Sequence, residues 1–387
     1  MAIFLGVAFG AFLPEIALEQ KFIGDIFLTL LKMLIVPLIF ASVFLAIATL
    51  GSIEDLKDLG IKAFIYYFST TALAVLLGLI VVNIINPGVG LNISGFETNI
   101  EQAKEVPISE LLISIFPSNI FASLSEAKIL QIIFFAIVFA IASLYINKNQ
   151  KGVLVNFFDA INDTMMVLAK WVIKLTPIGV FSLISYVVAK SGYETILSLW
   201  EYVITVVIAL LLHAVVVISI IAYVVGKFNP LEYFLNIREA ILIAFSTASS
   251  SATLPVSIEV SEEKGGVDKK SAGFILPLGA TINMDGTALY ESIAVMFIAN
   301  LVGVDLTITQ QIIIFLTVIL SSIGAAGIPG AGLVMMTMVL SMVGLPLEYI
   351  AVIIAVDRFL DMLRTAVNVW GDLVGAKLLD NLRRKSL

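Results

Sequence analysis

The residues best suited to do chemistry are concentrated near the C-terminus, between residues 357 and 372. At about 100° per residue, an α-helix would place six polar side chains of this segment on one face. They are Asp357, Asp361, Arg364, Thr365, Asn368 and Asp372. Arginine binds carboxylates in a bidentate manner, and a carboxylate suits an ammonium group. The face therefore predicts a site for a solute with both charges; the alternative is a ladder of salt bridges that only packs the helix.

A second group of oxygen-bearing residues occupies one turn of an apolar segment. It consists of Asn283, Met284, Asp285, Gly286 and Thr287. Hard cations prefer several oxygen ligands, including backbone carbonyls. We expect Gly286 to let the helix unwind and to free carbonyls for a sodium-type site. The alternative is a simple kink at Gly286, with Asp285 paired to a charge on a neighbouring helix.

Three consecutive serines, Ser249 to Ser251, offer hydroxyls and, at a hairpin tip, backbone N–H groups for a carboxylate. Close packing of small residues is the alternative interpretation. The chain has no G-x-S-x-G motif and no Cys, which argues against a serine hydrolase and against thiol chemistry. Its one histidine, His213, argues against a zinc site, and we expect it to be a polar residue packed between helices.

The composition indicates that these groups belong to a membrane protein. Of 387 residues, 60% are hydrophobic and only 13% are charged, and the mean hydropathy is +1.08. Soluble domains carry about 25% charged residues, so a soluble protein is excluded. The net charge of −7 leaves no basic surface for nucleic acid. Since ionised groups at bilayer depth are costly, those that occur there are candidates for function.

Apolar windows of about 20 residues predict the membrane-spanning helices. These lie near 2–13, 22–50, 62–86, 108–147, 153–190, 194–226, 272–302 and 347–380. Two further apolar segments, about 233–258 and 306–342, carry Ser, Gly and Pro clusters in their middles. Non-helical backbone at membrane depth must be buried or line a cavity, so we expect re-entrant hairpins there. Each hairpin precedes a helix with a polar centre, an order typical of inverted-repeat transporters.

The basic residues are unevenly divided between the predicted loops. If the N-terminus is cytoplasmic, the outer loops hold only Lys21, Lys104 and Lys190, and the inner loops and the C-terminal tail collect most of the others. The positive-inside rule then places both termini in the cytoplasm. The first apolar stretch, residues 1–13, has no basic flank, so we expect no cleavable leader.

Four segments carry the most distinctive motifs of the chain. They are Ser249–Pro255, Asn283–Tyr290, Gly327–Gly332 and Asp361–Asp372. Together they resemble the signature segments of the dicarboxylate/amino acid:cation symporter family, the glutamate transporters, and the resemblance covers nearly the whole chain. It implies an all-α polytopic membrane protein, a homotrimeric inverted-repeat elevator transporter with eight transmembrane helices and two re-entrant helical hairpins. The implied division is a scaffold (trimerisation) domain at 1–61 and 108–193 and a transport domain at 62–107 and 194–387.

Carried over position by position, the resemblance implies a substrate-binding set. Its members are Arg364, Asp361, Thr365, Asn368, Ser250, Ser251, Thr287 and Gly332. Arg364 would hold the side-chain carboxylate of the substrate and Asp361 its amino group. Ser250 and Gly332 would hold the main carboxylate.

The resemblance also implies three sodium sites. The first would use Gly279, Asn283, Asn368 and Asp372. The second would use Tyr67, Thr70, Thr71, Asn283 and Asp285. The third would use backbone at Thr281, Ser322, Ile323 and Ala325. No cofactor is expected, and Na⁺ enters only as the coupled ion.

Two positions depart from the family pattern. Where some members carry an extra arginine, beside the serine cluster or after the aspartate of the last helix, this chain has Ala248 and Met362. Arg358 is the nearest basic residue, about 60° from Asp361 on the helical wheel. Relatives that take neutral amino acids lack the arginine at position 364, and those that take C4-dicarboxylates lack the aspartate at 361. A chain with both residues is expected to take aspartate or glutamate.

The sequence thus predicts a sodium-coupled symporter of L-aspartate or L-glutamate in the cell membrane. A proton-coupled carrier or a C4-dicarboxylate carrier of the same family is an alternative, and a passive ion channel is the alternative from another class. An enzyme is not expected, because the chain offers neither an activated nucleophile nor a metal triad. The expected partners are the amino acid, sodium, membrane lipid and further copies of the chain, and not nucleic acid.

Overall fold

The computed structural model describes residues 2–48, 59–89, 113, 115–191, 199–322 and 331–386. Within these ranges every regular element is helical, because a backbone in hydrocarbon must satisfy its own hydrogen bonds. Three helical stretches of the described chain are long and apolar enough to span a membrane. They are Ile61–Ile85, Lys148–Val172 and Leu199–Val224.

The helices are numbered in chain order. The first eight are α1 (Ala2–Phe12), α2 (Pro14–Glu19), α3 (Lys21–Ala48), α4 (Ile61–Ile85), α5 (Ile120–Ser125), α6 (Ile129–Ser143), α7 (Lys148–Lys174) and α8 (Thr176–Ser191). The next are α9 (Leu199–Leu212), a π-helical turn (His213–Val217), α10 (Ile218–Val224), α11 (Pro230–Thr247), α12 (Ser250–Glu263) and α13 (Lys269–Ile282). The last are α14 (Asp285–Leu301), α15 (Ile308–Ser322), α16 (Ala331–Met342), a 3₁₀ turn (Leu347–Tyr349) and α17 (Ile350–Ser386).

Helices α1 to α3 and α5 to α8, called here the first group, pack mainly against one another. Helix α3 contacts α6, α7 and α8, and α1 packs along α8. Aromatic rings fill the seam between α3, α6 and α7, where the ring centroids of Phe44 and Phe158 are 4.3 Å apart. Phe44 is fully buried. Apolar packing therefore holds this group together.

Helix α14 lies at the centre of the second group, which comprises α4 and α9 to α17. All of its residues except Asn300 are buried, and it contacts α4, α9, α15, α16 and α17. The long α17 runs beside it and also contacts α9, α11 and α13. Polar residues on the facing sides of α14 and α17 are consequently surrounded by protein.

The first predicted hairpin is formed by α11 and α12, which pack against each other. Helix α11 ends at Ala248, whose φ of 51° is left-handed, and the Ser249 side chain caps α12 by accepting from Ala252 N at 3.1 Å. In the second predicted hairpin, α15 and α16 are also in contact. Its tip, residues 323–330, lies outside the described residues.

Two of the helices predicted from hydropathy in the first half of the chain are interrupted. The helix expected at 153–190 is two helices that meet at Leu175, because Pro177 lacks an N–H and its ring opposes a continuous helix. Leu175 N donates instead to Val172 O at 2.9 Å. The helix expected at 108–147 is broken between α5 and α6, where Ala127 has a left-handed φ of 50°.

The helix expected at 272–302 is also broken, but not at the predicted residue. The break falls at Asn283 and Met284, between α13 and α14, where Asn283 is extended with φ −98° and ψ 98°. Gly286, the expected point of unwinding, is helical instead. Its missing side chain serves packing, since a Cβ there would lie 2.6 Å from the Arg364 carbonyl oxygen.

Candidate functional site

Arg364 is the centre of a buried ion cluster on α17. Its side chain is fully buried, and Nη2 lies 2.7 Å from Asp361 Oδ1 and 3.1 Å from Asp357 Oδ1. The Tyr290 ring lies 3.8 Å from Cζ of the guanidinium, and its hydroxyl donates to Asp357 Oδ1 at 2.8 Å. The predicted polar face of the last helix thus forms within the protein interior, with two carboxylates on one guanidinium nitrogen.

Part of the hydrogen-bonding capacity of the guanidinium is unused. Nε and Nη1 of Arg364 have no hydrogen-bond partner, although both are buried. Gly332, at the start of α16, lies against the guanidinium, since a Cβ there would be 3.0 Å from Nη1 and 3.4 Å from Thr287 Cγ2. The N–H groups of Nε and Nη1 are therefore left for charge-assisted hydrogen bonds to an anionic ligand such as a carboxylate.

Of the other residues predicted to bind substrate, only some lie near Arg364. Thr365 is buried beside Arg364 on α17, and Ser250 is buried at the first position of α12, while Ser251 is exposed. The hydrogen bonds of the described residues join none of the three to Arg364. Arg358, the nearest basic residue to the positions where the family arginines are absent, is exposed.

Asn368 connects this cluster to the break between α13 and α14. Its Oδ1 accepts from Gly286 N at 2.7 Å, and its Nδ2 lies 3.3 Å from Thr287 Oγ1. Its backbone oxygen is 3.4 Å from Asn283 Nδ2. One residue therefore contacts both the candidate substrate set and the candidate cation set.

The four residues predicted for the first sodium site lie together. Asn283 Nδ2 donates to Asp372 Oδ1 at 2.8 Å, and Gly279 lies directly against Asp372. Asn283 Oδ1 is buried and has no hydrogen-bond partner. A buried oxygen without a donor beside a carboxylate is what a hard cation requires, so the donor set fits sodium.

Asp285 anchors the second predicted sodium set. Its Oδ1 accepts from Thr71 Oγ1 at 2.7 Å. The other members are close along α4, but their hydroxyls are engaged elsewhere: Tyr67 Oη donates to Ile275 O at 2.9 Å, and Thr70 Oγ1 donates to Tyr67 O at 3.1 Å. Thr71 and Asp285 are therefore the directly joined pair of this set.

A small cavity lies beside the second set. Its volume is about 10 Å³, enough for one water-sized particle, and Tyr67, Thr71 and Ser322 are among its lining residues. Ser322 belongs to the third predicted set, in which Thr281 Oγ1 donates to Pro277 O at 3.0 Å. Ile323 and Ala325, the other members of that set, lie outside the described residues.

Two buried ionisable residues were not recognised as site residues from the sequence. His213, taken as a packing residue, places Nε2 3.2 Å from Asp285 Oδ2. Glu291 on α14 is fully buried, and neither carboxylate oxygen has a hydrogen-bond partner. Ser321 lies beside Glu291 but donates its hydroxyl to Val318 O. Glu291 follows Thr287 by four residues, a helical spacing that places it on the same face and could have identified it.

Paired helical hairpins beside a buried arginine and buried clusters of oxygen groups are typical of a membrane transport protein. The profile of the sodium:dicarboxylate symporter family matches residues 1–382. The chain belongs to this family, as the motif resemblance predicts, and it is a membrane symporter rather than an enzyme.

Relatives of this chain occur in bacteria and in animals. The proton/sodium-glutamate symport protein of Bacillus caldotenax is 35% identical, over 98% of this chain and 92% of its own length. Excitatory amino acid transporter 3 of Mus musculus is 36% identical, over 100% of this chain and 85% of its own. The proton/glutamate-aspartate symporter of Escherichia coli (strain K12) is 36% identical, over 94% and 85%.

Proposed function

We propose that the protein is a sodium-coupled symporter of L-aspartate, L-glutamate or both. The observation that carries the proposal is the buried Arg364, which is paired with Asp361 through Nη2 and has no hydrogen-bond partner at Nε and Nη1. An acidic amino acid matches this arrangement, because one carboxylate can accept from the unused N–H groups of Arg364 and the ammonium can meet Asp361. A C4-dicarboxylate would bring a negative charge toward Asp361 with no ammonium to offset it. The names of the two bacterial relatives, which specify glutamate or glutamate-aspartate, support the same substrate class.

The contacts of Asn368 support coupling between substrate and cation. Its side chain orders Thr287 and the first turn of α14, and its carbonyl oxygen faces Asn283. A cation bound at Asn283 and Asp372 would fix Asn368, and a fixed Asn368 would favour the substrate. By linkage, the substrate must then raise the affinity for the cation by the same factor.

For the architecture, we propose eight transmembrane helices and two hairpins that work by an elevator movement. The scaffold would comprise residues 1–61 and 108–193, and the transport domain 62–107 and 194–387. The observation in favour is that the first and second groups of helices each pack mainly within themselves. We further propose a lipid-embedded homotrimer in the plasma membrane with both termini in the cytoplasm, as the loop charges predict.

Proton coupling is the second candidate, and Glu291 is the observation that favours it. An ionised carboxylate without a partner is far more costly to bury than a neutral one, so this residue is suited to carry a proton across with the substrate. The candidate also agrees with the word proton in the names of two relatives.

Uptake by purified protein in liposomes tests both candidates. Under an inward sodium gradient at equal pH, we expect labelled aspartate to be concentrated, and unlabelled glutamate to compete better than succinate. Uptake that only equilibrates, or that ignores sodium, would contradict sodium coupling.

A second set of liposomes, with an inward proton gradient and no sodium, isolates the proton candidate. If Glu291 carries the proton, Glu291→Gln should bind aspartate normally but lose the response to the proton gradient. A parent protein without any such response removes the proton candidate and leaves the sodium proposal intact.

A further inference from the structure

His213 lies where regular helix geometry is interrupted. It is the first residue of the π-helical turn between α9 and α10, in which Ile218 N donates to His213 O. A π-helical turn has hydrogen bonds between residues i and i+5 instead of i and i+4, and such turns are frequent at functional sites. The turn is anchored to α17, because Trp370 Nε1 donates to Ala214 O at 3.1 Å. His213 is fully buried, so the turn presents its imidazole to protein and holds it in a fixed place.

The imidazole and a threonine hold the two oxygens of one carboxylate. His213 Nε2 is 3.2 Å from Asp285 Oδ2, and Thr71 Oγ1 donates to Asp285 Oδ1 at 2.7 Å. His213 Nδ1 has no hydrogen-bond partner. This assigns the N–H to Nε2, because the other tautomer would leave a buried N–H unpaired and set two acceptors against each other. The two donors come from different helices and together fix the rotation of the carboxylate.

The fixed carboxylate faces the break between α13 and α14. Gly371 of α17 lies against both Asn283 and Asp285. A Cβ at Gly371 would be 2.9 Å from Asn283 Nδ2 and 3.3 Å from Asp285 Oδ2. Each carboxylate oxygen uses one acceptor position for its donor and retains another. Asp285 and Asn283, whose Oδ1 has no hydrogen-bond partner, therefore lie against the same glycine of α17.

We propose that His213 is a positioning residue for the coupled cation: its Nε2–H orients Asp285 so that the carboxylate is preset for the cation. The inference rests on the proposed sodium coupling and deepens it. Without the imidazole, Asp285 would have to be oriented at the moment of binding, and sodium affinity would fall while the substrate contacts at Arg364 stayed as they are.

The test measures the sodium concentration that gives half-maximal aspartate binding, using purified full-length protein in lipid nanodiscs. His213→Leu removes the donor, and His213→Gln keeps an N–H at a similar reach. Leu210→Ala is the matched control, because Leu210 is a buried residue of α9 whose loss affects packing alone. Each variant is also made in an Asp285→Asn background.

We expect His213→Leu to raise the half-maximal sodium concentration about tenfold or more, the range for a hydrogen bond to a charged group. Aspartate affinity at saturating sodium should change by less than about twofold, and His213→Gln should recover most of the sodium affinity. In the Asp285→Asn background, His213→Leu should have almost no further effect. The proposal would be overturned if His213→Leu left the half-maximal sodium concentration unchanged, or raised it equally in both backgrounds.

Since His213 is the sole histidine, a ¹⁵N-histidine NMR spectrum reports it alone. Sodium should shift the Nε2 resonance in the parent and not in Asp285→Asn; an Nε2 resonance that ignores sodium contradicts the inference. If the parent binds aspartate with sodium but His213→Leu behaves like the parent, only this inference fails. If the parent shows no sodium dependence, the proposed coupling fails with it.

Discussion

The two groups of helices keep their polar residues in different places. In residues 2–48 and 115–191, as far as the structure describes them, every buried polar side chain is a serine. In residues 199–322 and 331–386 the buried set includes charged or ionisable groups. Among them are His213, Asp285, Glu291, Arg364 and Asp372.

The buried serines of the first group hydrogen-bond mainly to backbone groups. Ser182 Oγ donates to Gln20 O at 2.9 Å and accepts from Gly24 N at 3.0 Å, which joins α3 to α8. Helices of this protein can thus be packed without any buried charge. The buried charges of the second group cost desolvation free energy that packing does not require, as is expected of residues proposed to bind a substrate and cations.

Among the changes that test this difference between the two groups, replacing Arg364 should have the largest effect. Arg364→Gln removes the guanidinium proposed to bind the substrate carboxylate, and losing one partner of a buried, hydrogen-bonded charge pair costs about 2 to 5 kcal/mol of binding free energy. We expect aspartate affinity to fall by about 100-fold or more, measured by isothermal titration calorimetry at saturating sodium. Arg358→Gln is the matched control, since it removes the same charge from an exposed position of the same helix. Equal affinities of the two variants would remove Arg364 from the site.

A truncation in the first group should affect stability instead. Phe44→Ala removes a fully buried ring and should cost about 3 to 5 kcal/mol of unfolding free energy, seen as a lower unfolding temperature. The aspartate affinity of the folded protein should stay within about twofold, because distant sites act independently. A loss of affinity as large as that of Arg364→Gln would show that the two groups are not separable in this way.

The smallest effect is expected at the end of α17, where charges pair outside the membrane. A hydrogen bond from Arg383 lowers the pKa of Asp268, the cap of α13. Because the pKa is lower in the folded protein, this stabilisation is present above the ordinary aspartate value of about 3.9 and is lost as the pH falls through the folded value. Arg383→Ala should therefore lower the unfolding temperature slightly at pH 7 and progressively less toward pH 3. A difference that does not change with pH would assign the effect to packing.

The sequence predicts the parts of the site that share one helix. The placement of Asp361, Arg364 and Asn368 on one face follows from helical spacing alone. The two hairpins follow from the small residues that interrupt their apolar segments. The pairing of His213 with Asp285 spans 72 positions along the chain and depends on a π-helical turn that no local pattern specifies. Glu291 could have been found, because it continues the polar face that Thr287 begins.

The positions of breaks were predicted less well than their existence. Gly286 was expected to unwind because glycine is a poor helix former, but tertiary packing against the Arg364 backbone retains it in the helix. Asn283 leaves the helix instead, since its side chain bonds to Asp372 across the interface with α17. The break at Leu175 could have been inferred from Pro177, which hydropathy alone does not register.

The two-residue break between α13 and α14 also has an electrostatic consequence. A helix carries a partial charge of about +0.5 at its N-terminus and about −0.5 at its C-terminus. In a continuous helix these ends would lie at the membrane surfaces, whereas here the C-terminus of α13 and the N-terminus of α14 adjoin in the protein interior. Gly286 N at the latter already donates to Asn368. The interruption therefore sets opposite partial charges side by side, so that one short segment of backbone favours a cation on one side and an anion on the other.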